Sequence, residues 1–261
     1  MKKGHGLNGF QIKLIMALLM ILDHVDKIPG LLPAGWDGIF HAVTRCVGVW
    51  FAFAAVEGFI HTRNRITYNF RLFFWAGIMF FGNVILNFLL QSKEIHNSNN
   101  IFLTLACGVL SLGIFFGFSK EKLELNGRDK WIRYGLGAVV FLVAAFLTEG
   151  GMVMIPFMLI TYGYRKNEVL RNLLYFALAF LLFVMSIEVY PSLSETLSML
   201  LYNSDWLFIT VLPFLYLYNG ERGYTSKWSK YFFYIFYPAH LWLIALVAQK
   251  ILEQFFHINQ V

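Results

Sequence analysis

The chain has 261 residues, of which 58% are hydrophobic and 14% are charged, and its formal net charge is +6. Soluble domains average roughly 45–50% apolar and 25% charged residues, so this composition excludes an ordinary soluble enzyme. The positive charge requires no nucleic-acid partner, because basic residues also collect on the cytoplasmic loops of membrane proteins. Cys46 and Cys107 lie in apolar stretches and form neither a disulfide framework nor a CxxC pair, and we expect no metal site.

Successive apolar stretches predict an all-α fold, a polytopic transmembrane helix bundle of about nine spans (8–10) in one integral membrane domain, 1–261. Boundaries are good to a few residues. Gly151–Tyr164 is shorter than the others, so it either crosses as a short helix or enters as half of a hairpin with the span before it. In chain order the predicted spans are Phe10–Val25, Trp36–Ile60, Tyr68–Leu90, Ile101–Phe118, Ile132–Thr148, Gly151–Tyr164, Val169–Ile187, Thr196–Tyr218 and Tyr231–Leu252.

The distribution of basic residues predicts the orientation of these spans. With the N-terminus in the cytoplasm, most of the 21 lysine and arginine residues fall in inner segments, including Arg63–Arg71, Lys120–Arg133 and Arg222–Lys230. The outer loop Glu188–Asp205 contains no lysine or arginine. Positive charge is retained on the cytoplasmic side of membrane proteins. We therefore expect a multi-pass protein of the bacterial cytoplasmic membrane, in contact with its lipids.

Ionisable residues inside or at the ends of these spans are the candidate functional groups. Asp23 and His24 end the first span, Arg45 lies in the second, and His240 follows Pro238 in the ninth. A charged group at membrane depth costs at least a few kcal/mol, so it usually has a function. His41 and Arg45, like Glu57 and His61, are four residues apart and share a helical face. We expect most of the outer groups, with Asn203 and Asp205, to line one outward-facing cavity.

Structural roles are the alternative for several of these residues. Asp26 and Lys27 fit the solvated end of a helix, and Glu57 with His61 or Arg63 fits an ion pair between helices. Asn83 and Asn87 are suited to interhelical hydrogen bonds, which contribute under ~1 kcal/mol each. The sequence contains no GxSxG, HExxH or P-loop motif, so hydrolase, zincin and nucleotide-triphosphatase readings lack support.

Several motifs resemble those of the TraX family of bacterial membrane proteins, in the family's order from residue 8 to about 248. They are Phe10-Gln-Ile-Lys-Leu-Ile with Met20-Ile-Leu-Asp-His24, Val56-Glu-Gly-Phe-Ile-His-Thr-Arg-Asn-Arg65, Thr148-Glu-Gly-Gly with Met-Ile-Pro-Phe-Met-Leu, Leu217-Tyr-Asn-Gly-Glu-Arg-Gly223 and Tyr231-Phe-Phe-Tyr-Ile-Phe-Tyr-Pro-Ala-His-Leu241.

The resemblance implies an acyltransferase. The family's namesake is the conjugation protein that acetylates the amino terminus of F-type pilin, and the family is similar to multi-span acyltransferases that take acetyl groups from cytoplasmic acetyl-CoA. Acetyl-CoA is then the donor substrate. One departure from the family pattern is Gly150-Gly151, where a more polar pair is expected.

Acetyl transfer to an amine or hydroxyl needs a base for the acceptor's proton and a group that stabilises the oxyanion. We expect His24 to be the base, since histidine titrates near neutral pH. Asp23 points about 100° away from it on a regular helix and is a candidate for binding the acceptor's ammonium. Arg45 and His240 are candidates for contact with the oxyanion or the acyl carrier.

A basic cluster at the cytoplasmic side is the expected acetyl-CoA site. Guanidinium groups bind phosphate well, which favours Arg63, Arg65 and Arg222 together with His61. The full set expected to contact the donor, including residues from the resembling motifs, is Glu57, His61, Arg63, Asn64, Asn219 and Arg222.

Two other classes of function remain open. A small proton-coupled transporter or flippase would use Asp23, Arg45, Glu57 and His240 as a proton relay. It lacks support from an inverted repeat or a matching pair of broken helices. A structural or assembly protein would leave Arg45 and both span histidines unexplained. The acceptor of an acyltransferase is also open among a pilin amine, another peptide, a cell-envelope sugar and a lipid.

Overall fold

The computed structural model describes residues 6–33, 35–90, 95–119 and 126–258. Within these ranges the chain forms helices and no β-strand, which confirms the all-α class. Residues 120–125 of the predicted cytoplasmic segment Lys120–Arg133 lie outside the described residues. In chain order the α-helices are α1 Gly9–Leu22, α2 Trp36–Thr44, α3 Cys46–His61, α4 Arg65–Leu90, α5 Ile101–Phe116, α6 Gly127–Leu147, α7 Gly151–Gly163, α8 Glu168–Met185, α9 Leu193–Tyr202, α10 Leu212–Leu217 and α11 Lys227–Ile258.

Among the described residues, five helical segments are long and apolar enough to cross a membrane, or six if a bent pair counts as one span. They are Trp36–His61, Arg65–Leu90, Gly127–Leu147, Glu168–Met185 and Tyr231–Gln254, with the bent pair Leu193–Tyr202 and Asp205–Leu217. Helices α5 and α7 are shorter and apolar. Nine spans and a cytoplasmic N-terminus therefore stay predictions.

Polar side chains fix where several helices begin. Asn8 accepts a hydrogen bond from the Gln11 amide while the Gln11 side chain accepts one from the Asn8 amide, a capping box at the start of α1. Asn100, Asn126 and Ser192 cap α5, α6 and α9 in the same N-cap position. Such caps satisfy amide groups that a helix leaves unbonded at its first turn.

The predicted span Thr196–Tyr218 is broken in the structure. Helix α9 ends at Tyr202, a 3₁₀ helix covers Asp205–Val211, and the two halves meet at 55°. Asn203 and Ser204 at the break have side chains that compete with helical backbone bonding. Pro213, in the first turn of α10, lacks the amide that a continuous helix would need. Asp205 is thereby placed at the start of the second half.

The chain forms two compact units. Unit 1 comprises the described residues of Met1–Val47, Phe80–Ser98 and Ala179–Val261; unit 2 comprises those of Gly48–Met79 and Asn99–Leu178. In unit 1, α1 packs against α2 and α11, and α2 packs against α9. In unit 2, α5, α6 and α7 pack on one another. A single domain over 1–261 remains a prediction.

The pair Gly150-Gly151, where the sequence comparison expected a more polar pair, lies at the turn between α6 and α7 in unit 2. Gly150 has φ +62 at the start of α7, a conformation that glycine adopts without strain. A side chain on Gly151 would overlap the Ala144 carbonyl of α6. The adjacent Glu149 accepts hydrogen bonds from the Asn99 side chain at 2.7 Å and the Asn100 amide at 2.5 Å. The pair thus permits a close α6–α7 turn that Glu149 ties to the start of α5.

Candidate functional site

The Asp23 carboxylate, directly after α1, is the centre of a polar network in unit 1. Its Oδ1 accepts a hydrogen bond of 2.5 Å from Thr44 Oγ1 and lies 3.3 Å from Arg45 Nη2. His41 Nδ1 lies 3.4 Å from the same oxygen. The three partners are at i, i+3 and i+4 of the second predicted span, so one helical face supplies them all. Asp23 is therefore engaged by the protein's own donors.

Arg45, which lies inside a predicted span, is paired with carboxylates. Its Nη1 donates to Asp205 Oδ1 at 3.1 Å, and its Nε donates to the His41 carbonyl at 3.0 Å. Together with the Asp23 contact, these bonds use the fork geometry of the guanidinium group. Since Asp205 lies just after the break at Asn203 and Ser204, that break puts a carboxylate within reach of α2.

His41 is a member of the network that was not among the expected catalytic residues. Besides Asp23, its Nδ1 lies 2.8 Å from Arg45 Nη2, and its Nε2 lies 3.3 Å from Asp26 Oδ2. Burial alone would raise the pKa of Asp26, but the hydrogen bond and charge of His41, together with the charges of His24 and Lys27, lower it. The spacing of four between His41 and Arg45 was the sequence signal for this residue. Asp26 is thus more than a solvated helix end.

His24 and His240 form a second, buried part of the site. Both residues are 7% exposed, and their ring centroids lie 5.6 Å apart. His24 Nε2 is 3.9 Å from Asp23 Oδ2, which is longer than a hydrogen bond. The His240 ring stacks on Phe236 at 5.1 Å, and its Nδ1 lies 2.9 Å from the Phe236 carbonyl oxygen. His24, just after the end of α1, and His240, in the middle of α11, therefore lie side by side.

An open cavity of ≈ 420 Å³ borders this network in unit 1. The cavity contains two carboxylates, one imidazole and one guanidinium group, so it suits a polar ligand better than an acyl chain. Asp23 contacts two lining residues, His41 and Arg45, through its Oδ1, and His24 is nearest to its other oxygen, Oδ2. The cavity is lined by His41, Arg45, Met185, Ser186, Glu188, Tyr202, Asn203 and Asp205.

Four residues expected to bind the donor lie around the α3–α4 turn of unit 2. Glu57 Oε2 and His61 Nε2 are 3.5 Å apart, and the His61 side chain is 75% exposed. Arg63 is exposed, whereas the Asn64 side chain accepts from the Thr67 amide and caps α4. Glu57 and His61 therefore contact each other within α3, and the exposed His61 and Arg63 side chains are open to a ligand.

Arg65, which we also considered for phosphate binding, has a structural role instead. Its side chain is buried and donates to the carbonyl oxygens of Phe59, Gly117 and Ser119. The guanidinium carbon lies 4.2 Å above the Phe59 ring centroid. With its donors used on backbone carbonyls, Arg65 fastens the end of α3 to the end of α5.

The expected donor residues Asn219 and Arg222 lie in unit 1, on a loop that pairs with the start of α1. The Gly9 and Phe10 amides donate to the Glu221 and Arg222 carbonyl oxygens at 2.8 and 3.1 Å. Asn219 Oδ1 accepts from the Glu221 amide. These bonds occupy the first amides of α1, so the helix N-terminus is unavailable to an anion. The Arg222 residue itself is exposed.

No group of three or more His, Cys, Asp or Glu residues in the described ranges has the geometry to hold a metal ion. Among solved structures, none matches the chain.

The comparisons with known proteins agree with the motifs. Over 254 residues the chain is 25% identical to the "Probable fimbrial assembly protein FimC, serogroup H1" of Dichelobacter nodosus, a similarity that covers 94% of this chain and 97% of that protein. The model of the family described as TraX protein matches residues 8–248. This protein belongs to the TraX family.

Proposed function

We propose that this protein is a membrane-embedded acyltransferase that moves an acetyl group from cytoplasmic acetyl-CoA to an acceptor in the cell envelope. The observation that carries the proposal is the buried His24 next to Asp23, in a charged network that borders a polar cavity. A base, a set of fixed cations and a space for the acceptor are what acyl transfer requires.

In this mechanism His24 removes a proton from the acceptor amine or hydroxyl. The acceptor atom then bonds to the acetyl carbon, the thioester C–S bond breaks, and the His24 imidazolium returns its proton to the leaving sulfur, so that coenzyme A departs as a thiol and His24 is neutral again. Arg45 stabilises the charge that develops on the carbonyl oxygen, while Asp23 orients Arg45 and His41. Because Thr44 and Arg45 already donate to Asp23 Oδ1, and His41 Nδ1 lies 3.4 Å from it, we assign the binding of an acceptor ammonium to the cavity carboxylates Glu188 and Asp205.

We place the donor's phosphates at exposed basic residues on the predicted cytoplasmic side. His61 and Arg63 of unit 2 are one candidate contact, and Arg222 of unit 1 is another, each to be tested separately. Guanidinium groups form charge-assisted hydrogen bonds with phosphate oxygens. With the N-terminus in the cytoplasm and about nine spans, the cavity at Glu188 and Asp205 would open to the outer face.

Family membership favours a pilus or fimbrial subunit as the acceptor. The similarity to a fimbrial assembly protein supports this choice, as does the pilin acetylation of the family's namesake. A subunit presents a free amino terminus, which matches a cavity that contains carboxylates. Another peptide, a sugar or a lipid would accept the acetyl group by the same chemistry.

The test is transfer by the purified protein in lipid vesicles that contain acetyl-CoA with a labelled acetyl group. Candidate acceptors are a pilin amino-terminal peptide, the same peptide with a blocked amine, an amino sugar and a phospholipid amine. We expect label on the free peptide and none on the blocked one. Failure of every acceptor, together with unchanged masses of envelope products in cells that lack the protein, would contradict the proposal.

A proton-coupled transporter is the second candidate. The 55° break between α9 and the segment that follows favours it, because transporters bind substrates at interrupted helices. Its distinguishing property is movement of a solute in response to a proton gradient, measured in the same vesicles with a pH-sensitive dye. Solute-dependent proton flux without any acetyl transfer would select the transporter.

A further inference from the structure

The tautomer of His240 is fixed by its own helix. The Phe236 carbonyl oxygen, 2.9 Å from His240 Nδ1, can only accept a hydrogen bond, so in the neutral ring Nδ1 carries the proton. Nε2 then presents a lone pair. Stacking on the Phe236 ring, with an interplanar angle of 15°, holds the imidazole in this orientation.

The lone pair of His240 Nε2 is buried, and it has no hydrogen-bond partner among the described residues. Buried polar atoms are nearly always hydrogen-bonded, so this nitrogen is available to accept from a neighbouring donor. The adjacent imidazole is His24, with 5.6 Å between ring centroids and 34° between ring planes. A linear N–H···N bond of about 2.9 Å between two imidazoles corresponds to a centroid distance of about 5.2 Å. The observed separation of the ring centroids, 5.6 Å, exceeds this value by only about 0.4 Å, so the spacing of the two rings suits such a bond.

Asp23 is the carboxylate next to His24 in the sequence, but its contacts are directed elsewhere. Its Oδ1 interacts with Thr44, Arg45 and His41, and its Oδ2 is 3.9 Å from His24 Nε2. A carboxylate that already neutralises a guanidinium group is also a weaker acceptor for a further donor. His240 is thus the better-placed group to accept a proton from the His24 ring.

We propose that His240 is a positioning residue for His24: His240 Nε2 accepts a hydrogen bond from an N–H of His24, selects the tautomer in which the other nitrogen is free to act as base, and stabilises the imidazolium that results. This inference rests on the proposed acyltransferase function. When His24 takes the acceptor's proton, both of its nitrogens carry hydrogen, and the one facing His240 is bonded. His240 itself keeps its Nδ1 proton throughout.

The charged groups that face this pair are Asp23, Asp26 and Lys27, with Arg45 and His41 linked through Asp23. A test based on pH therefore has to leave these charged residues unmutated. Variants at position 240 do so, because His240 makes no direct ion pair with any of them in the described structure.

The test compares His240→Gln, whose side-chain oxygen still accepts a hydrogen bond, with His240→Leu, whose side chain does not. Tyr237→Phe, which keeps the ring beside His240, is the matched control. The ¹⁵N shifts of His24, measured on histidine-labelled protein without substrate, report its tautomer independently of activity. We expect His240→Leu to change the His24 tautomer and lower kcat by about 10- to 100-fold, as loss of a histidine's orienting partner does in metal sites.

His240→Gln should keep most of the activity and the wild-type His24 tautomer, while Tyr237→Phe should behave as wild type. The acidic limb of the kcat–pH profile should move to lower pH in His240→Leu, with the KM for acetyl-CoA unchanged. Unaltered His24 shifts in a folded His240→Leu protein would overturn the inference even if acetyl transfer is observed. Altered His24 shifts in a protein that transfers no acetyl group would keep the His24–His240 interaction and reject the acyltransferase function.

Discussion

Arg45 and Asp23 meet with Arg45 Nη2 3.3 Å from Asp23 Oδ1, although 22 residues separate them in the chain. The same guanidinium group reaches Asp205 at 3.1 Å, across a separation of 160 residues. One side chain thereby connects the end of α1, the α2–α3 junction and the break after α9. These contacts also shape the cavity, because Arg45 and its partners His41 and Asp205 all line it.

Arg45→Ala should destabilise the protein, because it leaves Asp23 without its guanidinium partner. Removing one member of a fully buried pair costs about 3–5 kcal/mol, and exposed pairs contribute about 0–1 kcal/mol. Both side chains are 24% exposed, so we expect an intermediate loss of about 1–3 kcal/mol. Thermal unfolding in detergent measures it.

Arg128→Ala is the control for removal of an arginine, since residue 128 is exposed near the start of α6 and should change stability by less than about 0.5 kcal/mol. The double variant Arg45→Ala with Asp23→Asn should lose less than the sum of the single changes, by about 0.5–3 kcal/mol. Strict additivity would mean that the pair does not contribute to stability.

A close contact in unit 1 gives a second stability prediction. A Cβ at Gly82 would overlap the Trp242 indole, whose Nε1–H donates to Asn83 Oδ1 at 3.0 Å. Gly82→Ala should therefore displace Trp242 and cost about 1–3 kcal/mol, the usual range for overpacking. Gly77→Ala, in the same helix α4 but facing open space, should be neutral or stabilise by up to about 1 kcal/mol. Equal unfolding temperatures for the two variants would contradict the role of this contact.

The expected donor residues predict a kinetic effect. Arg63→Ala and Arg222→Ala should each raise the KM for acetyl-CoA, because loss of one charge-assisted contact costs about 1.5–3 kcal/mol, or roughly 10- to 150-fold. A dephosphorylated donor should reduce the effect, since the missing partner is a phosphate. Arg128→Ala again serves as the control. Normal saturation by acetyl-CoA in both variants would place the donor elsewhere.

Hydropathy predicted the order of the helices well, because each apolar stretch became a helix or a broken helix at that place in the chain. Hydropathy did not predict the break at Asn203 and Ser204, because the mean hydropathy of a long segment barely changes when two polar residues lie within it. The sequence grouped Arg45 and Asp205 at one cavity, but it did not predict their direct hydrogen bond, which depends on the tertiary packing of α2 and α9. Arg63 and Arg65 are two residues apart, yet Arg63 is exposed and Arg65 is buried. The sequence alone could not tell which of the two was free to bind phosphate.

Topology is the part of the fold that still needs an experiment. Single cysteines at Asn126 and Thr225 should resist a membrane-impermeant thiol reagent in intact cells, and a cysteine at Ser194 should react. The background carries Cys46→Ala and Cys107→Ala, and disrupted cells provide the control for reactivity. Labelling at position 126 or 225 in unbroken cells would contradict a cytoplasmic N-terminus with about nine spans.

The last prediction separates the buried histidine from the histidine that lines the cavity. His24→Gln keeps a polar side chain of similar size without usable basicity, so kcat should fall by about 10²–10⁴-fold, as expected for loss of a general base. Binding of acetyl-CoA should persist, because the base acts on the acceptor. His41→Gln should mainly raise the KM for the acceptor, since His41 lines the cavity and its imidazole contacts Asp23 and Asp26.

His96→Gln, at an exposed position outside both units' polar networks, controls for the loss of any histidine and should be fully active. Initial rates at saturating donor, with the acceptor varied, separate effects on kcat from effects on KM. If His41→Gln abolished transfer and His24→Gln retained it, the base would be the cavity-lining histidine. The charged network would then act directly on the acceptor, and His24 with His240 would have a structural role.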